Sequence, residues 1–97
     1  MSIVLERLAD ELTISPDELE RRSLLAFVDR EQRLAKMDIA DFEDRYGVRT
    51  SAELVSRIGQ GSLYSHPAWE DSIEWEQLEA YLERLSRWQA ELDRGHV

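Results

Sequence analysis

The side chains in this sequence with the most chemical potential are carboxylates. Glu70, Asp71, Glu74, Glu76, Glu79 and Glu83 crowd into one segment, and two indoles, Trp69 and Trp75, are set among them. Paired carboxylates do acid–base work when a concave, desolvated pocket drives their pKa values apart. Helices as polar as these predict no such pocket. His66 and His96 lie far apart, without the spacing of metal ligands, and are expected as cap and tail residues. The sequence contains neither a Gly-rich phosphate loop nor a G-x-S-x-G nucleophile turn. Cysteine is absent, which removes the thiolate metal site, the cysteine nucleophile and the disulfide framework together. We therefore expect a non-enzyme with no catalytic residue, no metal and no cofactor.

Recognition is the chemistry that remains. Exposed aromatic area ringed by charge usually has a partner, and the residues expected to make that contact are Trp69, Glu70, Asp71, Trp75, Glu76, Glu79 and Glu83. Trp69 and Trp75 are six positions apart, roughly 240° around a helix, so they cannot share a face. One is expected to pack on a neighbouring element while the other meets a second chain. Glu76, Glu79 and Glu83 follow i, i+3, i+7 spacing and form an anionic strip suited to the cationic groove of an RNA-cleaving enzyme. The plainer readings are a solvated charged face and an aromatic core. Core is the expectation for Tyr81 and Trp88, which flank a leucine stripe, and it also applies to Tyr46 and Tyr64.

The whole chain carries 12 Lys+Arg against 21 Asp+Glu, a formal charge of −9 over 97 residues. That length fits one domain, and that sign predicts a basic partner rather than a phosphate backbone, which needs clustered cations. The 34% charged content is high for a compact globule and typical of long solvated helices. No apolar run reaches the ~18 residues of a membrane span, and the start Met1-Ser2-Ile3-Val4-Leu5-Glu6-Arg7 lacks the pattern of a signal peptide. We expect a cytoplasmic protein with no membrane contact.

The elements that must position these residues are unusually well punctuated. Ser15-Pro16-Asp17-Glu18 supplies an N-cap, a first-turn proline and a capping-box glutamate, and no Gly or Pro follows until Gly47. One helix is predicted over 16–46, about 46 Å at ~1.5 Å per residue. Thr50-Ser51-Ala52-Glu53 repeats the capping pattern and starts a connector helix over 51–59, ending near Gly59-Gln60-Gly61. Ser65 or His66 caps a last helix over 67–94, with Pro67 in its first turn and Glu70, Asp71 and Glu74 near its positive dipole end. Upstream, Val4, Leu5, Leu8 and Leu12 share a face of a short helix within 1–14.

Two apolar stripes should join the long helices. Val28, Ala35, Ile39, Phe42 and Tyr46 form one, and Leu78, Leu82, Leu85 and Leu92 form the other, broken by Gln89. The expected fold is all-α: two long antiparallel helices in a hairpin, with short N-terminal and connector helices, as a single domain over 1–97. So thin a hairpin encloses little core, so the stripes are assigned to core or dimer packing, and a homodimer is expected.

The stretch Leu5–Arg22 reads as helix, tight turn, helix, which raises DNA contact through Arg7, Arg21 and Arg22. Asp17, Glu18 and Glu20 would face the phosphates there.

Ser15-Pro16-Asp17-Glu18-Leu19, Leu24-Leu25-Ala26-Phe27-Val28, Arg45-Tyr46-Gly47-Val48, Ser51-Ala52-Glu53-Leu54 and, above all, His66-Pro67-Ala68-Trp69-Glu70-Asp71 with Glu74-Trp75-Glu76 and Leu78 carry a resemblance. Over most of its length the chain resembles small helical prokaryotic antitoxins of toxin–antitoxin modules. The resemblance implies a non-enzymatic protein that silences a toxin, often a ribonuclease, by direct binding, and that sometimes represses its own operon. The chain departs from DNA-binding antitoxins in lacking a clear N-terminal strand and a basic face. A self-associating helical adaptor and a DNA-binding autoregulator are the other two readings.

Overall fold

The computed structural model describes residues 2–61 and 65–95, so Tyr64 and His96, like the side chain of Ser65, fall outside the described residues. All regular structure among the described residues is helical: α1 (Ile3–Leu12), α2 (Pro16–Tyr46), α3 (Ser51–Gly59) and α4 (Ser65–Asp93). Each boundary has a local cause. Ser2 Oγ accepts from the Val4 and Leu5 N–H groups at 3.2 and 3.4 Å and so satisfies two orphan donors at the start of α1. Thr13, at φ 60, ends that helix in the left-handed region. Ser15 Oγ accepts from the Glu18 N–H at 3.1 Å, and Pro16 opens α2 without needing a donor. Gly47, at φ +66, terminates α2 with its N–H on the Glu43 carbonyl at 2.8 Å. Thr50 caps α3 through its hydroxyl, which accepts from the Glu53 N–H at 3.1 Å. The Glu53 carboxylate reaches back to the Arg49 N–H at 3.3 Å, one residue before the cap.

The last helix starts at Ser65, two residues earlier than the proline suggests. Its first turn then contains no acid. Glu70, Asp71 and Glu74 therefore lie beyond the reach of the N-terminal dipole, which fades within a turn. The expectation that they stabilise the start of the helix is corrected.

The chain divides into two compact units, residues 1–31 with 85–97 and residues 32–84. In the second unit the core is Phe42, Val48, Leu54, Ala68 and Trp75, with Ile39, Tyr46, Ile58 and Leu78 packed against it. Phe42 stacks on Trp75 with ring centroids 5.6 Å apart and planes at 18°, an offset-stack geometry. Arg45 reaches Asp71 while Phe42 meets Trp75, so higher numbers on α2 face lower numbers on α4 and the two run antiparallel in this unit. In the first unit Ala9, Val28, Leu85 and Leu92 are buried. Arg21 Nε donates to the Leu92 carbonyl at 2.8 Å, which ties α2 to the last turn of α4.

The stripe residues go inward. Val28, Ala35, Phe42, Leu85 and Leu92 are buried, and Ile39, Tyr46, Leu78 and Leu82 are half-buried. These side chains are taken up by the chain's own core, one of the two roles expected for them. Tyr81 is half-buried, but Trp88 is 63% exposed and is not the core residue that its place beside the leucines suggests.

Candidate protein-binding surface

The first half of α4, within the second unit, divides its side chains by helical angle. Asp71, Trp75 and Glu79 are four residues apart in turn and lie on its inward side. Trp75 is fully buried, so its assignment as a partner anchor is corrected: it is the centre of the core, with its indole stacked on Phe42. Among the described residues its Nε1–H meets no acceptor.

Asp71 is likewise held inside the unit. Its Oδ2 accepts from Arg45 Nη1 at 2.7 Å and from the Tyr46 hydroxyl. Arg45 also lies over the Phe42 and Tyr46 rings, 5.6 and 6.0 Å from their centroids, so the guanidinium bridges carboxylate and aromatics. The hydrogen bond to Asp71 stabilises the charged form of Arg45 and raises its pKa. Burial, followed by the hydrogen bond to Asp71, pushes the Tyr46 phenol above its ordinary value of 10.0.

Glu79 supplies the second clamp. Its carboxylate accepts from the Ser51 N–H at 3.2 Å and from the Ser51 hydroxyl, at the first residue of α3. An anion at a helix N-terminus meets orphan N–H groups and the positive end of the dipole. Glu79 is therefore a tertiary cap, and the continuous Glu76–Glu79–Glu83 strip is corrected: Glu76 and Glu83 are exposed, but the residue between them is turned toward α3.

The outward side carries what remains of the recognition surface. Trp69 is 51% exposed and Ile73 is 44% exposed. Their i, i+4 spacing sets one above the other, and Glu70, Glu74 and Glu76 around them are exposed. Ser72 is buried and turns its hydroxyl back to the Trp69 carbonyl at 2.6 Å, so the backbone beneath Trp69 is tied. A shallow depression of about 220 Å³ lies on the same unit, lined by Asp38, Asp41, Phe42, Arg45, Asp71 and Glu74. Arg45 neutralises Asp71 there, while Asp38, Asp41 and Glu74 are exposed acids at its rim.

Sequence reasoning passed over Ile73, Asp38 and Asp41. The signal for Ile73 was present, since it stands four residues after Trp69. Asp38 and Asp41 were hidden because only the packing of α2 against α4 brings them beside Glu74.

Of the cations considered for DNA, Arg22 bonds Glu18 at 2.9 Å, and Arg21 is half-buried between Glu18 and the Leu92 carbonyl. Arg7 is exposed on α1. Two of the three are thus already engaged by protein acceptors. Among the described residues no group of three or more His, Cys, Asp or Glu is placed to hold a metal ion, and no helix is long and apolar enough to cross a membrane.

No curated protein and no solved structure matches the chain. A family model does, over residues 1–96, and by that match the chain belongs to the family described as "Uncharacterized protein MJ0235 family".

Proposed function

We propose that this chain is a non-enzymatic masking protein, an antitoxin that binds a basic toxin, with a ribonuclease as the expected class. The observation that carries the reading is the outward face of α4: Trp69 and Ile73 are exposed in sequence with Glu70, Glu74 and Glu76. An aromatic anchor with an aliphatic neighbour and a carboxylate rim has the make-up of an interface hot spot for a cationic partner. The acidic rim at Asp38, Asp41 and Glu74 extends the same field onto α2 and offers acceptors for Lys or Arg. In this reading the long helices form a cytoplasmic hairpin that self-associates, and the revised contact set is Trp69, Glu70, Ile73, Glu74 and Glu76.

The experiment is co-expression with the product of the neighbouring gene, followed by capture. Trp69→Ala is expected to weaken capture at least about tenfold, as a central aromatic hot spot should. Glu70→Lys/Glu76→Lys is expected to slow association and to flatten its salt dependence. Retention of full affinity by both variants refutes the surface.

A further inference from the structure

The first unit buries mainly small or singly placed apolar residues, yet α1 turns most of its apolar side chains away from that core. Ala9 is fully buried, whereas Ile3, Val4, Leu8 and Leu12 are exposed, the first two most strongly at 70% for Ile3 and 72% for Val4. A shallow groove of about 200 Å³ runs along this outer side, lined by Val4, Arg7, Leu8 and Glu11.

We propose that α1 is a self-docking face, where a second copy of this chain packs its own α1 antiparallel about a two-fold axis at Leu8. Val4, Leu8 and Leu12 follow i, i+4, i+8 spacing and are symmetric about Leu8. The two-fold sets Leu8 on Leu8 and Val4 on Leu12, twice over. Arg7 and Glu11 sit one turn apart on the same flank, and in an antiparallel isologous pair each flank faces its own copy. Arg7 of one copy then meets Glu11 of the other at both ends of the contact. In a parallel two-fold pair opposite flanks face each other, so Arg7 and Glu11 would not meet.

The charges are available for this. Neither Arg7 nor Glu11 has an ion-pair or hydrogen-bonded side-chain partner among the described residues. Within one helix, Arg placed four residues before Glu is the weaker order for an internal pair. Glu6, Asp10 and Glu11 repel anionic headgroups, which favours a second copy over a lipid surface as the occupant. The two faces together bury on the order of 1,000 Å², the lower limit for a specific interface. A contact at that limit is a weak, reversible one.

This inference rests on the self-association in the function proposed above, and it uses a different surface from the one assigned to the toxin. Sedimentation velocity of the full chain at low ionic strength, up to about 100 μM, tests it, with circular dichroism verifying that helix content is retained. R7E and E11R are each expected to weaken the dimer at least about tenfold, L8E to abolish it, and R7E/E11R to recover it. An equimolar mixture of R7E and E11R should dimerise more tightly than either variant alone, because only the mixed pair restores both charge contacts. A wild-type chain that stays monomeric throughout, a dimer unmoved by L8E, or a mixture no tighter than its components overturns the proposal. Toxin capture is scored separately with W69A, so a failure of the masking surface leaves the sedimentation result for α1 intact.

Discussion

Trp75 and Trp69 stand six residues apart on one helix, and the fold predicts opposite consequences for removing them. Trp75 is fully buried and stacked on Phe42. Trp75→Ala deletes about 140 Å³ of side chain, and at ~24 cal/mol per Å³ of unrelaxed cavity that costs about 3 kcal/mol before the lost transfer energy is added. A loss of about 3–5 kcal/mol is a large share of the stability of a small domain. At roughly 4–8 °C per kcal/mol, the melting temperature should fall by at least about 12 °C. Trp75→Phe should cost much less. It keeps an aromatic ring stacked on Phe42 in the core. Trp69→Ala, at a half-exposed site, should stay within about 0.5 kcal/mol of wild type. Thermal melts of the three variants, followed by far-UV circular dichroism, distinguish these outcomes. A Trp75→Ala protein that melts within about 2 °C of wild type would refute the placement of this indole at the centre of the core.

Gly47→Ala tests the stop of α2. Nothing stands within 4 Å of an added Cβ, so only the left-handed backbone at φ +66 opposes it, and a loss of about 1–2 kcal/mol in denaturant melts is expected. Tyr46 predicts an alkaline weakness. Its folded-state pKa is raised by burial and by Asp71, so its contribution is complete below the unfolded value of about 10 and declines as pH rises past it. Tyr46→Phe should lose less stability than wild type between pH 8 and pH 11 (about one unit above the phenol's reference value), measured as the difference of two denaturant titrations.

The elements were readable where local chemistry sets them. Ser15-Pro16 and Gly47 bracket α2 at Pro16–Tyr46, and Thr50 opens α3 at Ser51, because capping is decided within a few residues. The stripe from Val28 to Tyr46 was also readable, since apolar periodicity at helical spacing reports a buried face whatever covers it. The candidate site was only half readable. Sequence places Trp69, Glu70, Asp71, Trp75, Glu76 and Glu79 in one acidic segment, but which of them turn inward depends on the rotation of α4 about its own axis. That rotation is fixed by partners distant in sequence: Phe42 for Trp75, Arg45 and Tyr46 for Asp71, Ser51 for Glu79. Asp71 and Glu79, expected among the partner contacts, are structural acceptors instead, and Ile73, which sequence reasoning passed over, stands beside Trp69 on the outer face.

Those inward carboxylates also determine how the outer face is presented. An anchor side chain contributes most when its backbone is already held, because less ordering entropy is then lost on binding. Glu79 holds α4 against the start of α3, and Asp71 holds it against the end of α2, on either side of Ile73. Glu79→Ala leaves the Ser51 N–H without its acceptor and removes an anion from a helix N-terminus, for an expected cost of about 1–2 kcal/mol. Glu76→Ala, one turn-step away at an exposed position, should cost no more than about 0.5 kcal/mol. If the clamp acts as described, Glu79→Ala should lower stability and weaken partner capture through a looser α4, whereas Glu76→Ala should weaken capture with stability unchanged. Melting curves and capture affinities measured on the same two proteins separate the cases. Equal, small stability losses at both positions would mean that the Ser51 contact holds nothing, and the distinction between inward and outward carboxylates would fail with it.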